Sequence, residues 1–220
     1  ASGAAAGEGD LEDLSGIWIA KTAGLVVHEQ NGFRPAKEFA LRGQEVFRAV
    51  ERLAKPVVAA VNGFALGGGC ELAMSCDIIL AGENAVFGQP EINLGIIPGF
   101  GGTQRLARLV GVNIAKEMIF TGKLIPAAEA ETIGMVNQVL PQAELMAATL
   151  KTARAIAAKG KVSLRAAKQA VNSGLDVDLG TGLRIEVDAF AICMASEDGK
   201  EGTRAFIEKR KPQFKGTLKG

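Results

Sequence analysis

The sequence has little of the chemistry that most metal and nucleophile sites need. It contains one histidine, His28, and three cysteines, Cys70, Cys76 and Cys193. A Ser-His-Asp triad or a histidine-rich metal site would have to use His28, and nothing around it has ligand spacing. Three cysteines without paired spacing do not indicate a disulfide framework or a zinc site. We interpret them as reduced thiols that pack in the interior, in a cytosol-like compartment, and His28 as a loop or surface residue.

The sequence also argues against membrane, nucleic-acid-binding and nucleotide-binding proteins. No run of 18 apolar residues is present, so no membrane-spanning helix and no membrane partner are predicted. The net charge of +1 argues against a nucleic-acid-binding surface. No Gly-x-Gly-x-x-Gly follows a strand, and no Gly-x-x-x-x-Gly-Lys-Ser/Thr occurs. The chemistry is therefore expected to depend on carboxylates and backbone amides, with no metal and no cofactor.

The stretch from Lys55 to Asp77 offers such groups. Val57 to Val61 is an apolar, β-branched run that predicts a strand buried on both faces, and Asn62-Gly63 predicts a turn. Gly67, Gly68 and Gly69 follow and lead into a predicted helix, whose first turn carries Glu71. Oriented amide donors beside a carboxylate suit the polarisation of a carbonyl during a proton transfer. A tight packing junction with an ordinary first-turn acid would give the same pattern.

A second acid, Glu91, follows in a segment rich in proline and glycine. Two short predicted strands separate it from Glu71, and such a path can bring both carboxyl groups to one cleft. A neighbouring apolar wall of Leu66, Leu94, Ile96 and Ile97 would raise the pKa of both acids by desolvation.

The predicted elements indicate an α/β fold. Strands are predicted over 57–61, 78–81, 85–87 and 136–140. Helices are predicted over 36–53, 70–75, 101–110, 113–121, 127–133, 145–158, 162–171, 183–194 and 199–210. Thr103 is expected to cap its helix, with Arg105 on the polar side. The change to helices alone predicts two regions, 1–158 and 159–220.

Ordered groups of residues resemble the enoyl-CoA hydratase/isomerase family, also called the crotonase family. They are Lys55-Pro56, Val61-Asn62-Gly63, Ala65-Leu66-Gly67-Gly68-Gly69-Cys70-Glu71-Leu72-Ala73, Cys76-Asp77, Phe87-Gly88-Gln89-Pro90-Glu91, Gly95, Ile97-Pro98-Gly99, Gly101-Gly102-Thr103-Gln104-Arg105-Leu106, Glu201-Gly202, Ala205-Phe206 and Glu208-Lys209-Arg210-Lys211-Pro212. The resemblance implies a spiral of strand-strand-helix turns with a C-terminal helical trimerisation region, and a homotrimer or homohexamer. Residues 1 to 34 are atypical or truncated by comparison.

The implied activity is that of an enoyl-CoA hydratase, the reversible syn hydration of trans-2-enoyl-CoA to 3-hydroxyacyl-CoA in fatty-acid β-oxidation or related acyl-CoA metabolism. By resemblance, Glu71 activates water and Glu91 moves a proton to the α-carbon. The Gly68 amide binds the thioester oxygen, with Gly9 as a possible second donor. The remaining implied substrate contacts are Leu66, Gly67, Pro90, Leu94 and Gly99 at the acyl group, with Phe206 and Lys209 at the adenosine end of coenzyme A.

Three alternatives remain open at this point. An enoyl-CoA isomerase or another acyl-CoA enzyme of the same fold is one, although isomerases often keep only one of the two acids. A catalytically incomplete scaffold or binding protein is the second, because residues 1 to 34 are atypical. An RNA-binding protein on this fold is the third, and the near-neutral charge weighs against it.

Overall fold

In the computed structural model of the chain, residues 18–21, by their backbone, and residues 33–216 are described. Gly9 and His28 lie outside them. The strands are β1 (Trp18–Lys21), β2 (Val57–Val61), β3 (Phe64–Leu66), β4 (Ile78–Gly82), β5 (Val86–Gly88), β6 (Leu124–Pro126) and β7 (Gln138–Leu140). The helices are α1 (Phe33–Glu51), α2 (Gly68–Met74), α3 (Gly102–Val110), α4 (Val112–Thr121), α5 (Ala127–Thr132), α6 (Leu145–Ala157), α7 (Lys161–Gly174), α8 (Leu179–Ala195) and α9 (Glu197–Ile207). A short 3-10 helix spans Pro90–Leu94.

The strands form two small sheets. The first has the order β1-β2-β4-β7, with β4 parallel to both β2 and β7. The second has the order β3-β5-β6, in which β3 and β5 are parallel and β5 and β6 antiparallel. All five residues of β2 are buried, as the continuous apolar run predicts for a strand covered on both faces.

The α/β prediction is confirmed, and most predicted elements form within a few residues of their predicted bounds. Four short elements were missed, namely β1, β3, β6 and the 3-10 helix, each of which has only three to five residues. The capping role expected of Thr103 is wrong. The residue before α3 is Gly101 at φ 108°, and no side chain caps that end.

The chain divides into two compact units. One holds Ile19–Leu53 and Val57–Leu150, and its core joins the two sheets to α2, α3 and α4 through buried side chains. The other holds Ala54–Pro56 and the helices beyond Lys151, where α7 packs against α8 and α8 against α9. Among the described residues, no helix is long and apolar enough to cross a membrane.

The cysteines agree with their expected packing role in two cases, because Cys70 belongs to the core and Cys76 packs against it. Cys70 is fully buried at the start of α2, and burial raises the pKa of its thiol to about 12. A thiol that stays protonated at neutral pH is a poor nucleophile. Cys76 and Cys193 are half-buried and form no disulfide among the described residues, and the Cys76 thiol donates to the Leu72 carbonyl at 3.5 Å.

We expect Leu106→Ala to lower the free energy of unfolding by about 3 kcal/mol, because it would leave a cavity in the core. Leu106 is fully buried on α3, whereas Leu109 on the same helix is 43% exposed. Leu109→Ala is therefore the matched control and should cost well under half as much. Urea unfolding of both variants measures the difference, and equal losses would contradict the packing described here.

Candidate active site

Glu71 is a buried carboxylate held by two backbone amides. It lies in the first turn of α2 and is 1% exposed. Its Oε1 accepts hydrogen bonds from the amides of Phe100 at 2.8 Å and Gly102 at 2.7 Å. A charged acceptor with two amide donors is a strong arrangement. The 98–102 loop therefore fixes the orientation of this carboxyl group.

Helix α1 and Arg105 fix that loop in turn. The Phe100 ring packs edge-on against Phe39 and Phe47 of α1, with centroids 5.1 and 5.6 Å away. The Arg105 guanidinium donates to the Phe100 carbonyl at 2.7 Å and pairs with Glu51 at 2.5 Å. The Arg105 side chain is only 12% exposed. The predicted position of Arg105 on the polar side of α3 is therefore wrong, since it joins α3 to α1.

Glu91 approaches the same glycine segment from the 3-10 helix. Gly67 has φ 53°, and a Cβ there would lie 2.9 Å from Glu91 Oε1. Glu91 Oε2 is buried without a hydrogen-bond partner among the described residues. A buried carboxylate oxygen with unused acceptor capacity is suited to receive a proton donor from a bound molecule.

The pKa values of both acids are raised above their usual range, mainly by burial. Burial raises the pKa of Glu71, while the amides of Gly102 and Phe100 and the charge of Arg105 lower it by less. Burial also raises the pKa of Glu91, its own backbone amide lowers it, and the charge of Glu71 raises it further. The predicted direction is confirmed. Of the predicted wall, Leu66 is half-buried, whereas Leu94, Ile96 and Ile97 are 72%, 49% and 64% exposed.

Gln89 was not selected from the sequence. Its side chain is fully buried, and its Nε2 donates to the Gly67 carbonyl at 3.2 Å. That carbonyl and the Gly68 amide belong to one peptide unit, so Gln89 helps to orient a candidate oxyanion donor. A Cβ on Gly102 would lie 2.5 Å from Gln89 Oε1 and 2.9 Å from Glu71 Oε1. The signal in the sequence was a polar residue two positions after the short apolar strand predicted at 85–87.

The glycine segment presents backbone donors next to these side chains. Gly67 donates its own amide to the Gly88 carbonyl at 3.0 Å, which ties the segment to β5. Gly68 is the first residue of α2, where amides have no partner within the helix and partial positive charge collects. Two acids with raised pKa and a helix-terminal amide thus occupy one region.

Comparison with known proteins identifies the family of the chain. The sequence profile of the enoyl-CoA hydratase/isomerase family matches residues 22–217. The chain belongs to this family. A crotonyl-CoA hydratase of Syntrophomonas wolfei is 50% identical over 208 residues, which cover 94% of this chain and 78% of the relative. A short-chain-enoyl-CoA hydratase of Clostridium acetobutylicum is 54% identical over 175 residues, covering 80% of this chain and 67% of the relative.

The fold of the family is confirmed by solved structures. A crystal structure of an enoyl-CoA hydratase from Bacillus anthracis superposes with a TM-score of 0.86 at 39% identity, covering 94% of this chain and 86% of that one. The crotonase-type fold predicted from the motifs is therefore the fold of this chain.

The other residues that the family resemblance implies are spread over both units. Leu66, Gly67, Pro90 and Gly99 are half-buried around the glycine segment and the 3-10 helix, and Leu94 is exposed. Phe206 and Lys209 are exposed residues of the second unit. Gly9 lies outside the described residues. Within residues 18–21 and 33–216, no group of three or more His, Cys, Asp and Glu side chains is arranged to hold a metal ion.

We expect Glu71→Gln to melt at a higher temperature than the parent at pH 8. The difference between the two melting temperatures should become smaller towards pH 4. The pKa of Glu71 is raised on folding, so the native state holds more protons than the unfolded chain between the two pKa values. Stability then falls as pH rises through that interval. A glutamine keeps an Oε1 that can accept both amides without a buried charge.

Glu201→Gln is the opposite control. An Arg210 hydrogen bond lowers the pKa of Glu201 to about 2, so its contribution is present at neutral pH and is lost in acid. This variant should melt earlier than the parent at pH 8. Thermal unfolding of both variants across pH measures the effect, and a Glu71→Gln protein no more stable than the parent at pH 8 would contradict the prediction.

Proposed function

We propose that this chain catalyses the reversible syn hydration of a trans-2-enoyl-CoA to a 3-hydroxyacyl-CoA. The observation that carries the proposal is the convergence of two acids with raised pKa, the buried Glu71 and the half-buried Glu91, on the Gly67–Gly69 segment. Hydration needs one group to direct and deprotonate water and another to deliver a proton. Acids whose pKa values lie closer to neutral pH than usual transfer protons more effectively there.

In the proposed reaction, the Glu71 carboxylate orients a water molecule and accepts its proton as oxygen bonds to the β-carbon. Glu91 delivers a proton to the α-carbon, on the same face. The two acids lie on one side of the substrate, which accounts for syn addition. Proton exchange between the acids and water restores their starting states, so no metal or other cofactor is needed by this scheme.

The Gly68 amide is proposed to bind the thioester oxygen. Enolate charge gathers on this oxygen in the transition state, so a fixed N–H stabilises the transition state more than the bound substrate. Such a donor contributes about 3 kcal/mol. Gly9 stays the predicted second donor.

We further propose that Leu66, Gly67, Pro90, Leu94 and Gly99 border the acyl group. Phe206 and Lys209 are proposed to meet the adenosine end of coenzyme A, where an aromatic ring suits adenine and a cation suits phosphate. The three cysteines, which form no disulfide among the described residues, support a reducing, cytosol-like compartment, cytoplasmic in a bacterium or the mitochondrial matrix in a eukaryote, with β-oxidation or a related acyl-CoA route as the setting.

We also propose that the chain assembles into a homotrimer or a pair of trimers. Helix α8 supports this, because Leu183, Val187, Phe190 and Met194 are each about half exposed or more. Their spacing places them along one side of the helix. A row of large apolar side chains in water is typical of a surface that another chain covers.

The test of the assembly is the mass of the native particle. Sedimentation equilibrium should give three or six times the mass of one chain. Phe190→Glu should shift the particle to a smaller mass, because it would bury an unpaired charge in the interface. Asp188→Asn, on an exposed residue on the opposite side of the same helix, should leave the mass unchanged. A monomeric parent protein would contradict the proposal.

The test of the activity is crotonyl-CoA hydration, followed by the loss of enoyl-thioester absorbance. Glu71→Gln and Glu91→Gln should each lower kcat about 100-fold or more, since each removes a proton-transfer group. Glu144→Gln is the control, because Glu144 is exposed outside the site, and it should retain full activity.

Other outcomes favour the alternatives. Loss of activity in Glu91→Gln alone, together with conversion of a 3-enoyl to a 2-enoyl thioester, would favour an isomerase. Absence of turnover by the parent protein with retained binding of coenzyme A would favour a binding protein.

A further inference from the structure

The C-terminal end of α9 has an unusual residue at its capping position. The Arg210 amide donates to the Ala205 carbonyl at 3.0 Å, and the Lys209 amide donates to the Phe206 carbonyl at 3.2 Å. This pair of bonds is the Schellman motif, whose residue after the C-cap adopts the left-handed conformation. Here that residue is Lys209, at φ 54°.

Glycine is the usual occupant of this position, because a Cβ is disfavoured at positive φ. Lys209 is the sole non-glycine residue with positive φ among the described residues. A strained conformation persists where the surroundings hold it in place. The presence of a lysine side chain at a position that favours glycine therefore suggests a role for that side chain.

The surroundings that hold it are a clamp of three side chains, Glu201, Glu208 and Arg210. Arg210 binds both carboxylate oxygens of Glu201, at 2.6 and 3.0 Å, and one oxygen of Glu208, at 2.6 Å. Glu201 Oε1 also accepts the Gln213 amide at 2.9 Å. The chain is thus fixed on both sides of Lys209. The lowered pKa of Glu201 agrees with a bond that favours its charged form.

The clamp also leaves the local charge positive. Arg210 offsets much of the charge of Glu201 and Glu208. Together with Glu201, the segment 204–211 carries four basic and two acidic side chains. Phe206, in the last turn of α9, is 82% exposed. An exposed ring and an exposed cation on a fixed turn suit a ligand with a planar base and a phosphate.

We propose that Glu201, Glu208 and Arg210 are positioning residues that hold Lys209 in the left-handed conformation to bind the nucleotide end of coenzyme A. This rests on the proposed function, in which Lys209 meets that end of the substrate. The clamp touches no part of the substrate itself. It acts by fixing the direction in which the Lys209 side chain leaves the turn.

The first variant removes the Lys209 side chain but keeps the left-handed conformation of the turn. Lys209→Gly keeps the left-handed turn and relieves its strain, so the melting temperature should stay equal or rise. Loss of the cation should weaken coenzyme A binding on the order of fivefold, a change typical of an exposed ionic contact. KM for crotonyl-CoA should rise equally, while kcat and KM for crotonyl-pantetheine, which has no nucleotide, stay unchanged.

The second variant releases the clamp. Arg210→Gln should raise Kd for coenzyme A and KM for crotonyl-CoA in the same pattern. In the double variant Lys209→Gly/Arg210→Gln, the second change should add nothing, because residues that act through one contact are not additive. Arg165→Gln, which changes an exposed arginine of α7 in the same unit, is the control of equal charge. Calorimetry and steady-state kinetics on the 220-residue chain give all of these values.

The outcomes are distinguishable. If Lys209→Gly lowers affinity and Arg210→Gln matches the Arg165→Gln control, the clamp is overturned and the proposed coenzyme A contact stands. If Lys209→Gly leaves Kd and KM unchanged, both the contact and its clamp are overturned. An additive loss in the double variant would also overturn the clamp, since it would show that Arg210 acts independently of Lys209. Because Kd is measured without turnover, an inactive protein still decides between these results.

Discussion

The double hydrogen bond to Glu71 Oε1 is the interaction on which the rest of the site depends. A carboxylate in the interior is costly unless charged donors or amides satisfy it. Here the amides of Phe100 and Gly102 do so from a loop that has little regular structure of its own. The loop can provide them because the Phe100 ring is packed on α1 and its carbonyl is bound by Arg105. The geometry of one carboxyl group thus requires contacts from α1, α2 and α3.

Those contacts also explain why a glycine is needed at 102. The Gly102 amide has to come within 2.7 Å of Glu71, and any Cβ there would collide with Gln89 or Glu71. Close approach of backbone to side chain is what lets the amides reach the acid. The same reasoning applies at Gly67, which passes next to Glu91. Glycines in this family motif therefore serve close packing, and at Gly102 that packing also lets a backbone amide hold the carboxyl group of Glu71.

The sequence predicted the parts of this arrangement that are local. The β2 run, the glycine segment and the acid in the first turn of α2 are all read from neighbouring residues. The position of Arg105 was predicted from the period of α3 alone. Its partners, Glu51 and the Phe100 carbonyl, are brought to it by the packing of α1 against the loop, and the period of one helix carries no information about that packing. Strand β3 was missed because its three residues lie between the Asn62-Gly63 turn and the glycine segment, and β6 because its three residues end at a proline. Gln89 was overlooked because a buried amide is recognised by its partner, which lies far away in sequence.

The two units are proposed to contribute to function by different physical means. In the first, burial raises the pKa of Glu71 and Glu91, the acids proposed to exchange protons, and buried charge lowers stability. In the second, the charged groups near Lys209 are exposed or half-buried, where each contact is weak. A weak contact gains selectivity only if its direction is fixed beforehand, since freezing a long side chain on binding costs entropy. A lysine in a turn that normally takes glycine, fixed on both sides by Arg210 and Glu201, meets that condition.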